Sequence, residues 1–195
     1  MQVNRLVIIT VGKTHSGKTT FASALEQQLH PSLVIDQDNH AAFINTYYRS
    51  LLPKQGPNHI KFAVTQTIVD YAVQRTDDHL ILCNSNRSYK SRLSLLTRFH
   101  QEGFISVIVH LDLPAHVLEE RVAHSQRNTA IFRSAASFTE VLNRQQAEER
   151  NPDVAAPLEG EANYLYHITR SDQIAETISG IIHIAESTCY DSESQ

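Results

Sequence analysis

Residues 12 to 19 have the composition and spacing of a site that holds phosphate groups. The run GKTHSGKT matches G-x-x-x-x-G-K-[ST] in full, after an apolar stretch and at the start of a helical one. Glycine permits backbone angles that turn successive N–H groups toward one anion, and a helix N-terminus adds partial positive charge. The predicted nucleotide contacts are Gly12, Lys13, Thr14, His15, Ser16, Gly17, Lys18, Thr19 and Thr20.

Two side chains of this run have predicted roles of their own. Lys18 can reach the β- and γ-phosphates of a nucleotide, and the Thr19 hydroxyl can ligate Mg²⁺. Lys13 and His15 stand where the pattern accepts any residue, so no individual role is predicted for their side chains. The sequence therefore predicts a site for ATP and Mg²⁺; the alternative is a chance turn in a structural loop.

A pair of carboxylates follows the second apolar run, in VIDQDNHAAF. Ligands of an open parallel sheet bind beyond the carboxyl ends of its strands, so Asp36 and Asp38 are expected to face the same crevice as residues 12–19. Asp38 is the predicted catalytic base, and Asp36 is predicted to hold the metal with Thr19. The reverse assignment of the base stays open, as does a helix N-cap role for either carboxylate.

Three arginines lie in and after LDLPAHVLEERVAHSQRNTAIFR. Arginine is suited to bidentate contact with phosphoryl oxygens, which predicts nucleotide contacts for Arg121, Arg127 and Arg133 and a catalytic role for Arg127. Because the connection at about 125–137 is polar, we expect it to be a lid that closes over ATP. The alternative is a solvated helix face with ion pairs four residues apart.

A scaffold of alternating strands and helices is predicted to position these residues. Strands are expected at 6–11, 32–36, 79–84, 104–114 and 164–169, and helices at about 17–29, 39–52, 59–75, 89–101, 115–124, 138–150 and 172–186. Apolar strands without alternation indicate a parallel sheet covered on both faces. The expected fold class is α/β, with three layers and a five-stranded parallel sheet. Residues 1–188 are predicted to form a single domain and 189–195 a disordered tail.

Composition excludes several classes of function. The 195 residues carry a net charge of −4, which argues against a polynucleotide-binding surface. Cys83 and Cys189 have no metal-ligand spacing and indicate a reducing compartment. The chain has neither a leader nor an apolar run of membrane-spanning length, so we expect a cytoplasmic protein without a membrane partner.

From residue 5 to about 150 the chain resembles the P-loop kinases that include phage-type polynucleotide kinase and the zeta-toxin group, among the AAA-type small-molecule kinases. The resemblance lies in the P-loop and in the order of VIDQD, LILCNSNRSYKSRL, LDLPAHVLEERV and FTEVLNRQ. It implies a P-loop NTPase fold with an arginine-bearing lid. It also implies that Asp38 is the general base, that Lys18 and Thr19 contact phosphate and metal, and that Arg127 is a lid arginine. Asn86 and Arg92 fall where related sequences carry polar residues.

The sequence departs from this group at two positions. Relatives often carry Arg or Lys three residues after the base to orient the acceptor, and Ala41 stands there, next to His40. Many P-loop proteins end the third strand with an acidic residue, and here Asn84 stands there, so the metal is expected to rely on Thr19 with Asp36 or Asp38. The alternative role for Asn84 is to cap the following turn.

Two functions fit these residues. The first is an ATP-dependent kinase that phosphorylates a hydroxyl or phosphate of a small molecule or nucleotide, with an acceptor crevice between residues 39 and 75. Its candidate acceptor contacts are Asn39, His40, Asn86, Arg87 and Arg92. Tyr47, Tyr48 and Phe62 are predicted to be core residues. The second is a P-loop ATPase or nucleotide-dependent switch that acts through a protein partner. The oligomeric state stays open.

Overall fold

The computed structural model of the protein describes residues 5–133 and 135–190, without the side chains of 189 and 190. Its strands are β1 (Leu6–Val11), β2 (Ser32–Asp36), β3 (His79–Cys83), β4 (Ile105–Leu111) and β5 (Tyr164–Ile168). They form one parallel sheet in the order β2-β3-β1-β4-β5. The predicted five-stranded parallel sheet is confirmed.

Seven α-helices connect or follow these strands within the described residues. They are α1 (Lys18–Glu26), α2 (Gln37–Tyr47), α3 (His59–Arg75), α4 (Tyr89–Gln101), α5 (Ala115–Ala123), α6 (Phe138–Ala147) and α7 (Ile174–Tyr190). The second helix begins two residues before its predicted start because the Asp36 carboxylate caps it, accepting the backbone N–H of Asp38 at 2.8 Å. It ends at Tyr47 rather than near 52, and a 3-10 turn follows at Arg49–Leu51.

Helices cover both faces of the sheet, which explains why its central strand does not alternate. All six residues of β1 are buried. On one face Leu6 and Ile8 pack with apolar residues of α1 and α7, and on the other Val7 and Ile9 pack with those of α3 and α4. A smaller apolar cluster joins α5 to α6 through Leu118 and Leu142.

The prediction that Tyr47, Tyr48 and Phe62 belong to the core is wrong. Their exposed fractions are 72%, 47% and 47%. Helices α2 and α3 pack on each other, and their buried positions are small or aliphatic, among them Ala41 and Ile44 on α2. The bulky rings therefore remain on the outer side of the pair.

The last helix, α7, ends later than the sequence predicts. Residues 189 and 190, the first two of the predicted tail, are the end of α7, and 191–195 lie outside the described residues. In the described part of the chain, no helix combines the length and the apolar character needed to span a bilayer.

Candidate active site

The loop between β1 and α1 has the backbone conformation of a phosphate-binding loop. Gly17 precedes α1 with φ 99°, in the left-handed region that favours glycine. At Gly12 a Cβ would lie 2.6 Å from the Leu111 carbonyl oxygen and 2.7 Å from Ser16 Oγ, so only glycine fits against the end of β4. The two glycines of the motif are thus required by backbone angle and by space.

Lys18 is folded back onto this loop. Its Nζ donates to the Lys13 carbonyl at 2.5 Å and to Ser16 Oγ at 3.4 Å. Burial lowers the pKa of Lys18 to about 8, an effect that the Asp38 and Asp36 carboxylates oppose and Arg127 reinforces. The ammonium group thus stays mostly protonated at neutral pH, with a strong preference for an anionic partner.

Thr19 and Asp36 have the donor chemistry that Mg²⁺ prefers. Thr19 Oγ1 donates to Asp36 Oδ2 at 3.3 Å, and the other carboxylate oxygen is engaged in capping α2. Hydroxyl and carboxylate oxygens are hard ligands, and Mg²⁺ in nucleotide sites takes one or two such protein ligands besides phosphate oxygens and water. Asn84 Oδ1 accepts the backbone N–H of Ser85 at 2.8 Å, so its side chain caps the turn after β3.

Asp38 lies two residues further along and has a different environment. It is the first-turn acidic residue of α2, and the cap of that helix is Asp36. Its Oδ2 accepts from Arg127 Nη2 at 3.1 Å, and its side chain is 46% exposed. The structure therefore gives the capping role to Asp36 and places Asp38 beside the predicted lid arginine.

His15 joins the phosphate-binding loop to the connection at 125–137. It has φ 60°, rare for a residue with a side chain, and both ring nitrogens contact hydroxyls: Thr14 Oγ1 at 3.0 Å and Ser125 Oγ at 2.7 Å. Its ring meets Phe138 edge-on, with centroids 4.7 Å apart. Burial, reinforced by the positive charges of Arg127, Lys18 and Arg121, lowers the pKa of His15 to about 4.

The other two predicted arginine contacts are placed differently. Arg121 donates to the His15 carbonyl at 3.2 Å and to Ser171 Oγ at 3.0 Å, so it connects the phosphate-binding loop to the segment after β5. The Arg133 guanidinium is directed away, donating to the carbonyls of Pro53 and Gly56 at 3.0 and 2.5 Å. The structure thus brings Arg121 and Arg127 to the site but not Arg133.

The connection itself packs more firmly than its sequence predicts. Ile131 and Phe132 are partly buried against the cluster of α5 and α6, and Phe132 meets Phe138 with ring centroids 4.6 Å apart. Asn45 of α2 also donates to the Ala130 carbonyl at 2.7 Å. The description of this connection as polar needs correction at Ile131 and Phe132, because these two side chains anchor it.

These groups surround a cavity of about 1030 Å³ at the carboxyl ends of the strands. The predicted residues that line it are Thr14, His15, Ser16, Gly17, Lys18, Thr19, Thr20, Asp36, Asp38, Arg121 and Arg127. At one edge it reaches Ile168, Ser171 and Ile174, after β5. Its volume is at the upper end of the usual range for small-molecule sites, ~300–1,000 Å³.

The five predicted acceptor contacts do not line this cavity. Arg92 is fully buried, where it pairs with Glu161 at 2.6 Å, so its assignment to the acceptor is wrong. Arg87 lines a separate cavity of about 250 Å³. His40 bonds to Thr65 at 2.8 Å between α2 and α3, and Asn86 donates to the Thr10 carbonyl at 2.9 Å.

Lys61 and Gln145 are among the polar cavity residues that the sequence analysis missed. Lys61, from the first turn of α3, lines the cavity with Asp36 and Asp38. Gln145 of α6 accepts the backbone N–H of Thr14 at 2.7 Å. A signal for Lys61 was present, since residues 39–69 contain no Asp or Glu, so its charge has no acidic neighbour in sequence. Gln145 lies 131 positions from Thr14, and no local pattern marks it.

The sheet, the glycine-bent loop and the cavity at the strand ends define a P-loop α/β domain. The family AAA_33, described as an AAA domain, matches residues 7–152, and the chain belongs to this family. No curated protein matches the chain.

Solved structures of two small-molecule kinases and of Kti12 share the fold. APS kinase from Mycobacterium tuberculosis, in complex with AMPPNP and APS, is 15% identical with a TM-score of 0.59, over 94% of this chain and 98% of that one. Shikimate kinase from Acinetobacter baumannii, in complex with shikimate, is 16% identical with a TM-score of 0.54, over 95% of both chains. Kti12 from Chaetomium thermophilum, in complex with ADP-AlF3, is 13% identical with a TM-score of 0.60, over 90% and 96%.

At these identities the likeness establishes the fold alone. It agrees with the predicted α/β architecture, and family membership agrees with the P-loop part of the resemblance noted in the sequence. The narrower kinship with the zeta toxins and polynucleotide kinase stays a prediction.

Proposed function

We propose that this protein is an ATP-dependent kinase that moves the γ-phosphate of ATP to a hydroxyl or phosphate of a small molecule or nucleotide. The observation that carries the proposal is the environment of Asp38. This carboxylate faces the P-loop cavity, is nearly half exposed and pairs with Arg127, while Asp36 caps the helix. A cavity carboxylate that is not needed for capping is available as a general base.

The proposed reaction needs three side chains of this chain. The acceptor oxygen attacks the γ-phosphorus in line, the new P–O bond forms, and the bond to the β–γ bridging oxygen breaks to release ADP. When the acceptor is a hydroxyl, its proton passes to Asp38. Lys18 and Arg127 hold the phosphoryl oxygens and stabilise the charge that develops on them.

Support for ATP as the donor comes from the P-loop and from the nucleotide analogues bound to two proteins of the same fold. Thr19 and Asp36 are the residues that would hold Mg²⁺. When bound with ATP, this ion neutralises charge on the phosphate oxygens.

The test is an ATP-consumption screen across hydroxyl and nucleotide acceptors, repeated with Asp38→Asn. This variant keeps the shape and hydrogen-bonding capacity of the side chain but removes the base. We expect kcat with the best acceptor to fall ~10²–10⁴-fold while ATP affinity changes little. Asp70→Asn is the matched control, because Asp70 pairs with Arg98 on α4 rather than facing the cavity.

The same screen separates the alternative function. An ATPase or switch that acts through a protein partner would release phosphate into water and phosphorylate none of the acceptors. Full acceptor-dependent turnover in Asp38→Asn would contradict the role of the base, and absence of ATP binding would contradict the whole proposal.

A further inference from the structure

Lys61 differs from the other cationic side chains at the cavity. Of the described lysines and arginines that line it, the four others each have a polar partner on the protein. These partners are the Lys13 carbonyl for Lys18, the His15 carbonyl for Arg121, the Asp38 carboxylate for Arg127 and the Glu148 carboxylate for Arg144. Lys61 Nζ has no hydrogen-bond or ion-pair partner within residues 5–133 and 135–190, and it lies 4.9 Å from the centroid of the Phe62 ring.

The position of Lys61 is electrostatically unfavourable for a lysine. It lies in the first turn of α3, where its backbone N–H donates to the Asn58 side chain at 3.3 Å, and a helix N-terminus repels a cation. Burial lowers the pKa of Lys61; the Asp38 and Asp36 carboxylates raise it, and Arg133 lowers it. The Lys61 ammonium group is thus partly buried at this wall with two carboxylates in the same cavity, but it forms no ion pair with a described residue.

Lys61 also lies within residues 39–75, the range predicted to form the acceptor crevice. It enters from α3, whereas the phosphate-binding loop and Lys18 enter from β1 and α1. The carboxylates that act on Lys61 are those of the proposed base and the α2 cap. The predicted acceptor-orienting position, Ala41, carries no charge and is buried.

We propose that Lys61 binds an anionic group of the acceptor, so the substrate carries a phosphate or carboxylate near the hydroxyl that is phosphorylated. This inference rests on the proposed kinase function and narrows its substrate class. Lys61 supplies from α3 the cation that Ala41 does not supply from α2. The ammonium group positions the acceptor while Asp38 takes its proton.

The test uses inorganic phosphate as the probe for the anionic subsite. The full-length protein is first saturated with Mg²⁺ and a non-hydrolysable ATP analogue, which fills the γ-phosphate position, and phosphate is then titrated by calorimetry. We expect wild type to bind phosphate, Lys61→Met to bind it ~10- to 100-fold more weakly, and Lys61→Arg to retain most of the affinity. Lys54→Met is the matched control, because Lys54 is an exposed lysine before α3.

A second measurement uses matched acceptor pairs that differ only by a phosphate or carboxylate. Wild type is expected to prefer the anionic member, and Lys61→Met to lose that preference through KM rather than kcat. Absence of phosphate binding to the analogue-loaded wild type, or equal binding in Lys61→Met, would overturn the inference. So would a parallel loss of analogue affinity, which would assign Lys61 to ATP. For each of these outcomes, the proposed kinase function still holds if the wild-type protein binds the ATP analogue.

Discussion

The backbone conformation of His15 favours glycine, whereas its contacts require an imidazole side chain. Its φ of 60° favours glycine, yet an imidazole stands there and reaches from Thr14 to Ser125. Residues held in such conformations are concentrated at functional sites, where the surrounding contacts maintain them at a cost of ~1–3 kcal/mol. We infer that His15 holds the start of the connection against the phosphate-binding loop, so that Arg127 stays close to the phosphates.

The substitution His15→Gly separates stability from activity. Relief of strain offsets the lost hydrogen bonds, each worth ~0.5–1.5 kcal/mol, so we expect the free energy of unfolding to change by less than ~1 kcal/mol. ATP turnover is expected to fall ~10-fold, because the connection loses its contact with the loop. Urea denaturation and turnover assays check both expectations. His15→Asn tolerates the same backbone angles with a shorter side chain, and wild-type turnover in both variants would show that the imidazole has no such role.

At the residue scale, roles that depend on neighbouring positions in the sequence could be predicted better than roles that depend on distant ones. The phosphate-binding loop could be predicted because its glycines, Lys18 and Thr19 act within eight consecutive positions. Asp36 and Asp38 were recognised as a pair. Which of the two caps α2 depends on where this helix begins, and it begins two residues before its predicted start. Arg92 was misassigned because sequence alone does not distinguish a guanidinium at a site from one buried against a carboxylate.

At the scale of elements, we expect nucleotide binding to change the structure of the connection at 125–137. Arg127 pairs with Asp38 at 3.1 Å, and both side chains are partly exposed, so this ion pair is weak enough to exchange for a phosphate. Arg133 is already held by two carbonyl groups of the segment before α3. The two arginines therefore differ in how they should respond to ATP.

Limited trypsin digestion tests this difference. We expect cleavage after Arg127 to slow severalfold when Mg²⁺ and an ATP analogue are added, because phosphate contacts order the backbone around it. Cleavage after Arg133 should change less and serves as an internal control. Equal protection of both sites would indicate a general stabilisation of the fold, and unchanged cleavage after Arg127 would argue against a lid.

Arg92 joins α4 to the segment that precedes β5. It is fully buried, pairs with Glu161 at 2.6 and 3.2 Å, and donates to three backbone carbonyls, those of Asn86, Arg87 and Ala155. Glu161 is only 2% exposed and also accepts the Leu158 backbone N–H. The pair therefore links α4 to the segment between α6 and β5.

Removal of one partner should be costly. Arg92→Met leaves the Glu161 carboxylate buried without its cation, and we expect the free energy of unfolding to fall by ~3–5 kcal/mol in urea denaturation. The double variant Arg92→Met/Glu161→Met removes both charges, so it should recover part of that loss. A double variant no more stable than the single one would show that the backbone hydrogen bonds of Arg92, not the ion pair, stabilise this region.

At the scale of the whole molecule, the layered fold could be predicted because alternating strands and helices with fully apolar strands allow few other arrangements. The third helix and α4 were located at their observed bounds, since their caps, Asn58 and Ser88, precede clear helical patterns. Helix packing is where prediction failed. Tyr47 and Phe62 are exposed because α2 and α3 meet through smaller residues. Which helix face is buried is set by tertiary contacts rather than by the local sequence.

Four buried or half-buried histidines give the molecule a predictable response to acid. Burial is the largest cause that lowers the pKa of His15, His40, His79 and His110 in the native state. In the unfolded chain each has a pKa near 6.5 and binds a proton more readily. Stability should therefore fall as the pH drops below about 6.5, by up to ~1.4 kcal/mol per pH unit for each fully buried histidine.

His79 offers the sharpest test of this response. Its Nδ1 accepts the backbone N–H of Leu6 at 2.8 Å, and protonation of that nitrogen would remove the acceptor from a buried strand end. His79→Asn keeps an acceptor oxygen near the same place but does not titrate, so its free energy of unfolding should fall less steeply between about pH 6.5 and about pH 5. Urea denaturation across this range gives the slope for each protein. His59→Asn, at an exposed histidine, is the matched control and should keep the wild-type slope. If His79→Asn also kept that slope, the acid sensitivity would have to arise from His15, His40 or His110.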